Sequence, residues 1–243
     1  MLGYFNPYSF IQRKILQNLK ESYRKSCKAS LEKIKASNQT RILDYKLQKQ
    51  LKILLDSLIS LHQKTSKTPL NILFYYPLEN EFNCKKLLNA YRKQKKIQIF
   101  TPFMCGISFK IVKYRLPLQK KVFGIYESYN SSFKVNKIHI AIIPTLGIDK
   151  NFKRIGFGKG MYDRFFETLK QKPINIFICR ATHYNHQIIT QPHDIQANFF
   201  ITPFVSLKLE DKKYDNLDYN KLRFISLSRW RWKLPYFTQA LPC

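Results

Sequence analysis

Acidic residues are scarce in this chain. Only 15 aspartates and glutamates stand against 43 lysines and arginines, giving a formal net charge of +28 over 243 residues. A field of that size attracts polyanions, whether nucleic acid, a membrane surface, a nucleotide or a polyanionic metabolite. The excess is spread along the chain rather than clustered, so charge alone assigns no function. Long apolar runs are also missing: no stretch approaches the roughly 20 residues needed to cross a bilayer. The N-terminus, MLGYFNPYSFIQRK, has no basic region followed by an apolar core and a small-residue cleavage site, so a cytoplasmic protein is expected. The five cysteines (Cys27, Cys84, Cys105, Cys179, Cys243) include no CxxC pair, which fits reduced thiols better than a disulfide framework or a zinc site. Of the five histidines only His183 and His186 lie close together, with no third ligand evident, and solvated or packing roles are expected. No GxSxG element supports a Ser–His hydrolase, and no internal repeat is found.

Hydrophobic content of 44% with 15% aromatics is enough for a packed globule. Residues 9–36 read as one amphipathic helix, with Ile15, Leu19, Tyr23, Cys27, Leu31 and Ile34 at spacings of four and three. Ser37 or Asn38 ends it, and a second helix runs from about 40 to 62. The texture then changes. NILFYYPL (71–78) reads as a buried strand, CKKLLNAYRKQKK (84–96) as a helix and IQIFTPF (97–103) as the next strand, implying a parallel pair. ISFKIVKYR (107–115) alternates, as an edge or antiparallel strand does. KIHIAIIPTLGI (137–148) is the most apolar strand and is expected at the centre; INIFICRAT and NFFIT supply two more. The fold class expected is α/β: a single domain with a mostly parallel, Rossmann-like sheet flanked by helices, an N-terminal helical pair and a C-terminal extension. The boundary is set at residue 204, with 205–243 as a basic, Trp-containing extension.

Glycine is scarcer still, with seven in the chain, yet Gly156, Gly158 and Gly160 alternate within RIGFGKGMYDRFF (154–166). A strand, a glycine-rich turn and a helix expected over 159–171 form an arrangement that holds phosphate: backbone N–H groups turn inward, and the helix start adds positive potential. Arg154 and Lys159 can reach remaining oxygens, and Asp163 can hold a magnesium ion. The spacing is neither GxxxxGK[ST] nor GxGxxG. The alternative is a tight turn whose glycines serve only close packing.

IIPTLGIDKNFKRIGFGKGMYDRFF resembles the signature of the 5-formyltetrahydrofolate cyclo-ligase (methenyltetrahydrofolate synthetase) family. Pro144, Gly147, Asp149, Arg154, Gly156, Gly158, Gly160, Tyr162, Asp163 and Arg164 fall in register with it. KESYR resembles a lysine–arginine element of the family, and YYPLENEFN, FGIYES and QPHDIQANFFIT resemble others, so the likeness spans roughly residues 10 to 203. It implies ATP-dependent conversion of 5-formyltetrahydrofolate to 5,10-methenyltetrahydrofolate, with Mg2+ as cofactor and ATP as co-substrate. Arg154 and Lys159 would be catalytic. Lys20, Arg24 and the loop residues Arg154, Ile155, Gly156, Phe157, Gly158, Lys159, Gly160, Met161 and Tyr162 would bind ATP. Tyr76, Glu81 (with Glu79 as rival), Gly158, Gly160 and Tyr162 would contact the folate, and Asp163 and Asp194 the metal. Phe152 stands where the family has glycine, Met161 where it has tyrosine and Asn198 where it has a later aspartate.

Small-molecule substrates and a monomer are expected, with no specific nucleic-acid partner. Two rivals remain: a nucleic-acid-binding protein using the basic surface and SRWRWK (228–233), and a family member kept for binding or regulation after losing catalysis.

Overall fold

The structure, a computed structural model, describes residues 7–121, 126–131 and 137–209. Helix α1 spans Pro7–Ala36 and α2 Thr40–Thr65, close to the lengths that their apolar spacing predicts. Asn38 ends the first at φ 55, a left-handed conformation that asparagine adopts more readily than most side chains. Burial of the α1 stripe begins at Lys20 and Tyr23; Ile15 and Leu19, expected on the buried face, are exposed. On α2 the stripe is Leu43, Leu47, Leu51, Leu55, Leu58 and Ile59. A fully buried leucine contributes about 1.5–3 kcal/mol, so this face alone fixes the helix to the sheet.

The strands follow as β1 (Leu70–Leu73), β2 (Ile97–Cys105) after α3 (Lys85–Arg92), and β3 (Ser108–Lys113). A short ribbon pairs β4 (Gln119–Lys120) with β5 (Tyr126–Glu127). Then come β6 (Ile140–Pro144), β7 (Gly147–Asp149), β8 (Arg154–Ile155), α4 (Met161–Glu167), β9 (Ile174–Ile178), β10 (Tyr184–Asn185), β11 (Phe199–Ile201) and β12 (Ser206–Lys208).

Seven strands of the described residues form one sheet in the order β12-β11-β9-β6-β1-β2-β3. The inner pairs are parallel, and β3 and β12 close the two edges antiparallel. The apolar β6 is the middle strand, as its composition predicts. Its alternate residues Ala141 and Ile143, with Leu73, Phe100 and Phe177, share a buried cluster with Cys27 and Leu31 of α1 and Phe165 and Phe166 of α4. The intervening residues (Ile72, Ile99, Ile142, Ile176) are equally buried and turn the other way, toward α2 and α3. Helices therefore cover both faces. The sheet continues through β12, past residue 204, and one compact unit ends at Leu209. Residues 210–243 lie outside the described residues, as do Phe123 and Gly124 of FGIYES.

Strand order carries the functional consequence. From β1 the chain builds outward through β2 and β3, then returns to the other side of β1 and builds outward again through β6, β9 and β11. The direction reverses between β1 and β6. At such a switch point the loops leaving two neighbouring parallel strands diverge and open a crevice at their carboxyl ends.

Candidate active site

Two structures rise from that crevice. From β1 the chain leaves through the buried Phe74 and Tyr75 into a turn over residues 79–83. From β6 it runs into a small sheet, in which β7 pairs antiparallel with β8 and parallel with β10. Strand β8 delivers the glycine loop, so a hairpin stands between the central strand and the loop that sequence reading attached directly to it.

The hairpin is held by one carboxylate. Asp149 is fully buried; its Oδ1 accepts from the amides of Asn151 and Lys153, and its Oδ2 from the amides of Ile189 and Thr190 and from the Thr190 hydroxyl. Phe152, in the place of the family's glycine, keeps the left-handed conformation that glycine would supply, at φ 56. That costs a side-chain-bearing residue roughly 1–2 kcal/mol. Opposing it, the Phe152 amide donates to Asp149 and its carbonyl accepts from Ala197, while the ring packs on the core cluster.

The three glycines of the loop do different things. A Cβ on Gly156 would lie 2.3 Å from Nη1 of Arg154, so this glycine makes room for a guanidinium beneath the loop. Gly158 and Gly160 sit at φ 111 and 58, which side-chain-bearing residues rarely adopt. The space a side chain on Gly158 would occupy is open.

Arg154 departs from expectation: it is buried and faces inward. Its Nε and Nη2 donate to the Pro144 carbonyl at 3.3 and 3.0 Å, and its guanidinium lies 4.9 Å from the centre of the Tyr162 ring. Nη1 stands 3.7 Å from Asp163. Lys159, by contrast, is exposed on the loop. Helix α4 is seven residues long, not the thirteen expected: it starts at Met161, after Gly160 in a left-handed conformation, and ends at Glu167. Its contribution to the local potential is correspondingly small, and the loop amides and cations dominate.

Lys20 and Arg24 reach this place from α1, one turn apart on one face. Arg24 Nε donates to the Gly156 carbonyl at 3.0 Å, and its guanidinium pairs with Glu21. Lys20 Nζ meets Asp194 Oδ2 at 2.5 Å, both side chains buried, and the same oxygen accepts from the Gln191 amide. Asp163 accepts from the amide of Ile195, the residue after Asp194. Lys20, Arg24, the loop, Asp163 and Asp194 thus converge, although they span the chain from α1 to the segment before β11.

A small cleft here is lined by Leu31 of α1, Phe157 of the loop, residues 80–82, Pro144 and Thr145 after β6, and Ile178–Arg180 at and just past the end of β9. Glu81 lines it; Glu79 is on the surface, paired with Lys35. Burial lifts the Glu81 carboxyl above the usual carboxylate range, while the Leu78 amide and the charges of Arg154 and Arg180 pull the other way. Burial, then the nearby Glu81 charge, raises the Tyr162 phenol. Tyr162 also packs edge-on against Phe109. Tyr76 packs against the Tyr126 ring at 5.6 Å and under the Lys85 ammonium at 4.6 Å. Glu127 is buried, accepting from the Met104 amide.

Sequence reading missed Arg180, which is buried and lines the cleft, and Asp44, its half-buried partner on α2. It assigned no role to Asp149 beyond its place in the signature. Among the described residues His62 and His139 pack ring against ring, and no group of three or more metal-ligating side chains gathers. Cys27, Cys84, Cys105 and Cys179 carry no disulfide. No described helix is long and apolar enough to cross a membrane. SRWRWK lies outside the described residues.

The profile of the 5-formyltetrahydrofolate cyclo-ligase family matches residues 16–203. A 5-formyltetrahydrofolate cyclo-ligase of Mycoplasma genitalium is 26% identical over 138 residues, covering 56% of this chain and 74% of that protein. The protein of the same name from Mycoplasma pneumoniae is 27% identical over 130 residues, covering 54% and 71%. Among solved structures, the 5,10-methenyltetrahydrofolate synthetase of Aquifex aeolicus superposes with a TM-score of 0.61 at 20% identity, over 81% of this chain and 99% of that one. The Mycoplasma pneumoniae synthetase does so at 0.55 and 24%, over 75% and 97%. At such identities these superpositions establish the fold.

Proposed function

The chain belongs to the 5-formyltetrahydrofolate cyclo-ligase family, and from that membership we propose that it closes the ring of 5-formyltetrahydrofolate at the expense of ATP. The products are 5,10-methenyltetrahydrofolate, ADP and phosphate. The observation that carries this reading is the convergence of Lys20, Arg24 and the glycine loop beside a cleft at the switch point of the sheet.

A formyl oxygen is a poor leaving group. Its attack on the γ-phosphorus of ATP breaks the bond to ADP and turns that oxygen into a phosphate ester. N10 then attacks the formyl carbon, the carbon–oxygen bond breaks with departure of phosphate, and N10 gives up its proton. No protein nucleophile is required; the work is alignment and neutralisation of charge. Lys159, exposed at the loop crest, is the cation for the transferring phosphoryl group. Arg24 and Lys20 hold the rest of the polyphosphate. Arg154 acts from beneath, fixing Tyr162 and the loop and contributing positive potential from Nη1. Glu81 and Tyr162 face the pterin.

Asp163 and Asp194 are hard oxygen donors on adjoining backbone but are too few to cage a metal alone. They fit a magnesium ion that arrives with the phosphates, and would hold it there. Bound in that way, the ion would supply charge neutralisation at the phosphate oxygens. Lys20 and Asp194 neutralise each other at 2.5 Å; this pair would part on binding, Lys20 turning to phosphate and Asp194 to the metal.

The test is the appearance of methenyltetrahydrofolate absorbance from 5-formyltetrahydrofolate. Turnover is expected only with ATP and magnesium both present; no turnover, or turnover indifferent to ATP, would overturn the reading.

A further inference from the structure

The turn carrying Glu81 is gripped at both ends by groups that belong to neither the glycine loop nor the signature. Arg180, just past β9, is buried. Its Nε and Nη2 donate to the two carboxylate oxygens of Asp44 on α2 at 2.7 and 3.0 Å, and its Nη1 donates to the Glu79 carbonyl at 3.0 Å. Asp44 also accepts from the Asn83 amide at 3.3 Å. One Arg–Asp fork therefore holds the start of the 79–83 turn through a carbonyl and its end through an amide. Glu81 stands between these grips. Its carboxylate accepts from the Leu78 amide at 3.0 Å, and it lines the same cleft as Arg180.

The geometry of such a fork is narrow. A planar guanidinium meeting a carboxylate through two parallel hydrogen bonds fixes both distance and orientation, which a lysine ammonium cannot do. The middle of the turn is held from within, by the Glu81 amide on the Leu78 carbonyl at 3.0 Å and the Tyr75 hydroxyl on the carbonyl of buried Phe82 at 2.8 Å, which leaves its two ends to the fork. The Lys35–Glu79 pair is largely exposed, and exposed pairs contribute little. The Asn80 amide group reaches only the exposed Glu32.

We propose that Arg180, held by Asp44, is a positioning residue that sets selectivity for the folate substrate by fixing the turn so that Glu81 faces the cleft. This rests on the reading that the cleft takes the folate. The nucleotide side of the site is held by Lys20, Arg24 and the Asp149 hairpin, whose contacts include neither Arg180 nor Asp44, so damage to the fork falls on one substrate.

Steady-state kinetics on the full chain, varying each substrate in turn, tests this. Arg180→Met should raise KM for 5-formyltetrahydrofolate about tenfold, with kcat and KM for ATP close to wild type, the pattern left when a contact made equally with substrate and transition state is weakened. Arg180→Lys should do the same, because charge without the fork does not hold the turn. Asp44→Asn keeps the shape of the pair and serves where Arg180→Met fails to fold. Combined with Arg180→Lys, it should add little, since both act through one turn. An unchanged folate KM in an active Arg180→Met enzyme would overturn this inference alone. So would rescue by lysine, or a rise in the ATP KM of equal size. Failure of the wild-type chain to turn over 5-formyltetrahydrofolate would overturn the proposed activity, and the selectivity role with it.

Discussion

Replacing Lys159 with alanine should lower turnover by about two to three orders of magnitude, the loss typical when a donor aimed at developing charge is removed. The melting temperature should stay at the wild-type value. The two halves of this expectation have separate causes. Lys159 is exposed on the loop crest, so truncating it opens no cavity, and its backbone carbonyl, which accepts from Arg164, is retained. On the proposed reading, its charge stands where the transferring phosphoryl group would gather negative charge. Arg154 cannot substitute from below, because its Nε and Nη2 are engaged with Pro144. Kinetics with saturating folate, together with a thermal melt, checks both. Near-normal turnover would remove Lys159 from the chemistry; a large fall in melting temperature would make its role structural.

Asp149→Ala should have the opposite profile, with the largest effect on stability of any single change at this site. Two buried backbone amides (Ile189 and Thr190), two half-buried ones (Asn151 and Lys153) and the Thr190 hydroxyl share that carboxylate. An unsatisfied buried donor costs about 1–3 kcal/mol, and relaxation lets water satisfy some of them. The expected loss is about 3 kcal/mol or more by denaturant unfolding. A change below about 1 kcal/mol, ordinary for a surface substitution, would show that the hairpin does not depend on Asp149.

These two residues show how unevenly the site could be read from the chain. The inner strands of the main sheet were legible because burial on both faces makes them continuous apolar runs, whereas β12 fell in what was read as the extension; α1 and α2 were legible because their stripes repeat for many turns. Strands β7, β8 and β10 have two or three residues each and carry no period, so the hairpin between β6 and the glycine loop was invisible. Strand order is not a local property at all; the reversal between β1 and β6 emerges only when seven strands compete for neighbours. Among site residues, the loop announced itself through glycine spacing, and Lys20 and Arg24 through resemblance. The inward turn of Arg154 did have a signal, a glycine two residues on, whose missing Cβ leaves room for the guanidinium. Choosing Glu81 over Glu79 required the path of the turn. Arg180 and Asp44, 136 residues apart, left no trace that one sequence could offer.

The central claim is that nucleotide phosphate lies on the backbone of the glycine loop, between the α1 cations and the folate cleft. Amide hydrogen exchange with and without magnesium and ATP addresses it directly. Slowed exchange is expected at residues 156–160 and at the Gln191–Ile195 segment beside Lys20, with little change on the α2–α3 face. Unaltered exchange at the loop under saturating nucleotide, or protection appearing on that opposite face instead, would contradict it.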